Sequence, residues 1–163
     1  MATDVRGRFM WYELMTADPA AAQGFYTKVI GWGTAPFEGS NPPYTMWMRG
    51  EAPIGGVMAL PAEAKAMGAS SQWLPYVGTP NVDETVAAAS GLGAKVRVPP
   101  TDIPNVGRFA VVTDPQGATF ALFKPGSDPG AEGTPQVGDF SWHELSTTDS
   151  TAAWAFYSQL FGW

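Results

Sequence analysis

Apolar and polar positions alternate between short strand-like runs and stripes of helical spacing. Phe9 to Met15 is aromatic and apolar nearly throughout, which predicts a strand. Asp18 is suited to cap a helix and Pro19 to occupy its first position. Ala22, Phe25, Tyr26, Val29 and Ile30 then fall on one helical face, and Gly31 is placed to stop it. Strands are expected at 33–39, 44–50 and 53–60, where the Gly55–Gly56 pair marks a bulge or a close approach. Residues 61–71 read as a linker with a turn of helix. The same order then returns. A strand over 72–79 precedes a helix over 82–93 capped by Asn81. A strand at 94–98 is broken by Pro99–Pro100, and a hairpin pairs 107–114 with 118–124.

A longer repeat overlies this one. Aligned without gaps, Gly7–Trp32 and Gly138–Trp163 are identical at 13 of 26 positions, both glycine–tryptophan ends included. The chain therefore ends on a second copy of its own first strand and helix. Residues 126–137 between them are a flexible linker by composition.

Composition narrows the partners. The chain has 163 residues, 45 % of them hydrophobic, with 19 glycines and 15 prolines, which suits many turns between short strands around one real core. The net charge of −6 provides no basic stripe for a phosphate backbone, so nucleic acid is not an expected partner. Cysteine is absent, which removes disulfides and thiolate chemistry. No apolar run reaches membrane-spanning or signal-peptide length, so a cytoplasmic protein without a membrane partner is expected.

Two βαβββ units, the phrase "WYELMTADPAAAQGFYTKVIGW" and the hairpin "DPQGATFALF" together resemble the vicinal oxygen chelate superfamily: glyoxalase I, bleomycin-resistance proteins and extradiol dioxygenases. The closest likeness is to its two-domain glyoxalase-like members. The resemblance implies an α+β fold of paired βαβββ modules forming a curved mixed sheet. Residues 8–125 would be one complete domain, with modules at 8–60 and 72–125, and 138–163 the first strand and helix of a truncated second domain.

Metal-binding members of that superfamily hold a divalent ion on four strands. Carried over residue by residue, those positions fall at Trp11, near Gly55, at Leu74 and at Ala121, and none offers a lone pair to a metal. The one histidine, His143, aligns with Tyr12, one residue past the ligand position, and alternation sends it to the opposite face. No metal and no cofactor are expected.

What remains is the cup of the sheet. If Trp11 faces it, so do Phe9, Glu13 and Met15, and by the same parity Leu74, Tyr76, Ala121 and Phe123. Trp47 sits among Tyr44, Met46 and Met48 on a strand whose facing the pattern leaves open. Trp11, Glu13, Trp47, Leu74, Tyr76, Ala121 and Phe123 are thus the candidate ligand-binding residues, suited to a flat or cationic organic molecule. Glu144 repeats Glu13 in the second copy, so a shared structural hydrogen bond competes with a functional role for Glu13. The expected function is binding of a small organic molecule. The alternative is a divergent metal-free enzyme, a lyase, isomerase or hydroxylase by analogy, with Glu13 as acid–base group. The aromatic tail, from Phe140 to Trp163, cannot bury itself alone, so packing on the first domain or self-association as a homodimer is expected.

Overall fold

Asp18 begins the first helix as its sequence predicts. In the computed structural model, which describes residues 3–131 and 133–163, its side chain accepts from Ala21 N at 2.9 Å. Glu132, inside the expected linker, lies outside the described residues. Strand β1 (Phe9–Thr16) leads into helix α1 (Pro19–Ile30), which Gly31 ends in the left-handed conformation at φ 85°. Strands β2 (Gly33–Pro36), β3 (Tyr44–Arg49) and β4 (Ala52–Ala59) follow. A short helix α2 (Ala62–Ala66) fills the expected linker. The second pass is β5 (Gln72–Gly78), α3 (Val82–Gly91), β6 (Lys95–Ile103), β7 (Gly107–Thr113) and β8 (Thr119–Pro125). The chain closes with helix α4 (Ser150–Phe161). The fold is α+β, built from two βαβββ modules.

The chain divides into two units. The α1 unit comprises Trp11–Leu74 and Thr134–Trp142. Its strands run in the order β2-β3-β4-β1, antiparallel except for β1 and β4, which pair in parallel with Glu13 opposite Gly56. Leu14, Trp32, Trp47 and Val57 form its core, with Ala22 and Tyr26 of α1 and Trp73 packed against them. Phe140 joins this core, stacking on Tyr12 at 3.7 Å between ring centres. Trp32 Nε1 donates to Gly138 O at 2.8 Å, and Arg49 binds both Gln136 Oε1 (2.7 Å) and Asp139. Residues 136–140 are thereby fastened to the unit by specific bonds.

The α3 unit comprises the chain up to Met10, Pro75–Gly133 and His143–Trp163. Its strand order is β5-β8-β7-β6. Val77, Ala110, Val112, Phe120 and Leu122 of the sheet, Val82, Val86 and Ala89 of α3, and Phe156, Leu160 and Phe161 of α4 make one core. Tyr157 donates its hydroxyl to Asp114 Oδ2 at 2.9 Å, which pins α4 to the turn before β8.

Two sequence expectations change. Pro99 and Pro100 do not end β6. It is an edge strand, its register shifts between Val96 and Val98 and again between Val98 and Thr101, and an edge tolerates proline at such irregularities. The second copy of the opening phrase keeps its helix, while residues 139–148 are bend and irregular chain rather than strand.

Candidate functional site

In the α1 unit, alternation along β1 separates two sets of side chains. Leu14 lies in the core beneath α1, so Trp11, Glu13 and Met15 lie on the other face. Tyr44 of β3 lies across that second face. It can do so because its neighbour on β4 is glycine: a Cβ at Gly56 would sit 2.0 Å from the Tyr44 hydroxyl. Gly55 answers to a second close approach, since its Cβ would meet Tyr12 O at 2.6 Å. The glycine pair permits both close approaches, and a bulge lies beside it: between Trp47 and Met48 the register passes over Ile54 of β4.

Trp11 Nε1 donates to the Tyr44 hydroxyl at 2.8 Å. The Glu13 carboxylate neighbours the same hydroxyl and acts on the Tyr44 phenol through its charge. Trp11, Tyr44 and Glu13 thus form one group, in which Glu13 is 8 % exposed. Burial, and then the neighbouring Glu13 charge, push the Tyr44 phenol above its ordinary value, so it stays protonated and remains a donor. Tyr44 is the residue sequence reasoning undervalued. Its facing was unreadable because β3 carries apolar side chains on both faces, and its role depends on the register that puts Gly56 opposite Glu13.

The other expected site residues divide between faces and units. Trp47 is fully buried in the core beneath α1, 5.5 Å from the Tyr26 ring and 5.6 Å from Trp32, and does not join Trp11 and Glu13. Leu74 is buried, and alternation sets it opposite Trp73, whose Nε1 donates to the Tyr26 hydroxyl at 3.0 Å. In the α3 unit, Tyr76 pairs with Ala121 across β5 and β8. The Tyr76 ring lies 6.0 Å from Phe123 and 6.2 Å from Phe109. These residues share the face away from α3, where Val77 and Leu122 point. Phe9 is placed otherwise than expected. It stacks on His143 at 3.6 Å and packs against the core that holds α4.

An open cleft of about 420 Å³ runs along α1 in its own unit, between Phe25 and Tyr26 on one side and Ser71 and Trp73 on the other. It was not anticipated, because Phe25 reads as an ordinary core position of an amphipathic helix.

The donor set does not fit a divalent ion. Trp11, Gly55, Leu74 and Ala121 carry no ligand atoms, and no three His, Asp or Glu side chains are grouped for a metal among the described residues. No helix among the described residues is long and apolar enough to cross a membrane.

Residues 8–122 match the family model described as the Glyoxalase/Bleomycin resistance protein/Dioxygenase superfamily. CFP32 of Mycobacterium tuberculosis, a proposed glyoxylase by name, is 39 % identical over 122 residues, covering 73 % of this chain and 44 % of that protein. The anthracycline biosynthesis protein DauV of a Streptomyces species is 29 % identical over 175 residues, covering 93 % of this chain and 59 % of its own length. This chain thus spans about half the length of these relatives. Among solved structures, the Mn(II)-bound glyoxalase of Novosphingobium aromaticivorans superposes with a TM-score of 0.62 at 18 % identity, covering 99 % of this chain and 54 % of that one, a likeness of fold.

Proposed function

The chain belongs to the glyoxalase/bleomycin resistance protein/dioxygenase superfamily, and from that premise we propose that it binds a small organic molecule on the Trp11–Tyr44–Glu13 face without the metal used by other members. The observation that carries this reading is the 2.8 Å bond from Trp11 Nε1 to the Tyr44 hydroxyl beside the buried carboxylate of Glu13. A buried carboxylate beside aromatic rings attracts a cation or a strong hydrogen-bond donor, and the indole and phenol rings offer flat surfaces to an aromatic ligand. The ligand class is therefore a flat organic molecule bearing an amine.

The test is a panel of planar aromatic amines and their neutral counterparts, read by tryptophan fluorescence. Amines are expected to bind and quench, and Glu13→Gln is expected to weaken them at least tenfold while leaving neutral analogues unchanged. A panel without binders, or binding that ignores Glu13→Gln, refutes the proposal.

One observation favours a catalytic second reading. A phenol kept protonated beside a carboxylate is a neighbouring proton donor and acceptor pair. On that reading Glu13 would take a proton from a bound substrate and Tyr44 would hold the carboxylate in place. Mass spectrometry of each bound compound after incubation separates the two. Conversion by the unaltered chain that Glu13→Gln abolishes, with binding retained for a neutral analogue, establishes the enzyme; unchanged compounds leave a binding protein.

A further inference from the structure

One ring of α1 contributes little to the core of its own unit. Ala22 and Tyr26 pack against that core, whereas Phe25 stays 57 % exposed on the wall of the open cleft. Two more rings line the same space. Phe25 meets Tyr26 at 5.1 Å with planes 89° apart, and Tyr26 meets Trp73 at 5.4 Å with planes 80° apart. The bond from Trp73 Nε1 to the Tyr26 hydroxyl, 3.0 Å, holds two of the three in place. Neighbouring rings at near right angles form corners rather than a flat slot, a shape that suits a compact group more than a planar one.

The charge around the cleft has one sign. Asp18 lines it, and no described Lys or Arg does. Asp18 Oδ1 accepts from Ala21 N at 2.9 Å, while its Oδ2 has no hydrogen-bond partner among the described residues. The start of α1 is thus already capped by a carboxylate, and an anion entering here would meet a like charge. A cation meets the opposite: one free carboxylate oxygen beside the faces of aromatic rings. Leu14, Ala21 and Ala22 complete this part of the lining. Their methyl surfaces accept no hydrogen bonds, so an ammonium that carries methyls in place of N–H groups loses least on entering.

We propose that this cleft, of about 420 Å³, is a binding site for a small methylated ammonium ion. Cation–π contact with Phe25, Tyr26 and Trp73 holds it, and Asp18 supplies the countercharge. The site is separate from the Trp11–Tyr44–Glu13 face. Leu14 lines it, on the side of β1 beneath α1, whereas Trp11 and Glu13 lie on the other side.

The test titrates the full chain with choline, replacing sodium chloride by choline chloride at constant ionic strength, and follows the indole N–H peaks in a nitrogen–proton correlation spectrum. The Trp73 peak is expected to shift and saturate at millimolar choline while the Trp11 peak stays in place. The neutral isostere 3,3-dimethylbutan-1-ol is expected to bind at least about tenfold more weakly. Phe25→Ala removes an exposed ring and should weaken choline about threefold to tenfold. Asp18→Asn keeps the helix cap and should weaken it about twofold to fivefold. Glu13→Gln should leave choline binding unchanged, so this site and the Trp11 face stand or fall separately. No saturation in the tens-of-millimolar range overturns the proposal. So does equal binding of the neutral isostere, choline binding that either Phe25→Ala or Asp18→Asn leaves unchanged, or a shift of the Trp11 peak in place of Trp73.

Discussion

Tyr157→Phe tests how α4 is held. The Asp114 carboxylate is 3 % exposed; its Oδ1 accepts from Gln116 N at 2.9 Å and Ala118 N at 2.8 Å, and its Oδ2 accepts from the Tyr157 hydroxyl at 2.9 Å. Phenylalanine keeps the ring contacts with Phe120, Phe161 and Trp163 and removes only the hydroxyl. A hydrogen bond to a charged group contributes about 1.5–3 kcal/mol, and a buried acceptor left without its donor adds a desolvation cost. A loss of about 2 kcal/mol is therefore expected, roughly a thirtyfold change in the folding equilibrium. For a chain of this size, that is a fall in Tm of about 4–8 °C. The repeat supplies the control. Tyr26 accepts a bond from the neutral indole of Trp73 at 3.0 Å, so Tyr26→Phe should cost only about 0.5–1.5 kcal/mol. Urea unfolding of both variants at pH 7 decides it. A Tyr157→Phe cost below about 0.5 kcal/mol, or no larger than that of Tyr26→Phe, would refute the claim that this bond fastens the helix.

Tyr44 and Tyr157 are both pushed upward, chiefly by burial and then by a neighbouring carboxylate. Both should stay protonated past pH 10 in the native chain, while all five tyrosines titrate near 10 in urea. A raised value stabilises the fold below the unfolded pKa, so alkaline stability should decline from about pH 10 upward; absorbance at 295 nm reporting five ordinary native tyrosines would contradict this. Burial pushes the His143 imidazole below 6.5, so the unfolded chain binds the extra proton first. Stability should thus fall as pH drops through 6.5 and level off below the native value, a step that His143→Phe should remove from urea midpoints measured between pH 5 and 8. Gly56→Ala puts a carbon 2.0 Å from the Tyr44 hydroxyl, and should cost about 1–3 kcal/mol in urea unfolding and abolish binding at the Trp11 face.

The local grammar of the chain was readable because it is local. Asp18, Asn81 and Asp149 cap the helices that their positions predict, and Gly31 and Gly162 stop two of them. Parity placed Tyr76, Ala121 and Phe123 on one face of the α3 unit, and Trp11 with Glu13 on one face of the α1 unit. What depends on a partner was not readable. Residues 140–146 repeat the β1 sequence closely, yet they are not a strand, because a strand is set by its pairing and not by its sequence alone. Tyr44 matters only through a register in which Gly56 makes room for it, and that register is set by the partner strand rather than by the residues of β3. The exposure of Phe25, Val29 and Ile30 was equally hidden, because α1 and α4 carry the same apolar pattern and differ in what lies against them.

The face built by Trp11, Tyr44 and Glu13 is the centre of the account, and the Trp11 indole N–H reports on it directly. The chain has seven tryptophans, so seven indole resonances are available in a nitrogen–proton correlation spectrum, assignable by single Trp→Phe variants. During titration with the tightest amine from the panel, the Trp11 indole peak is expected to shift and saturate with the fluorescence isotherm, while that of the buried Trp47 stays in place. A saturating isotherm in which the Trp11 peak never moves would contradict the account.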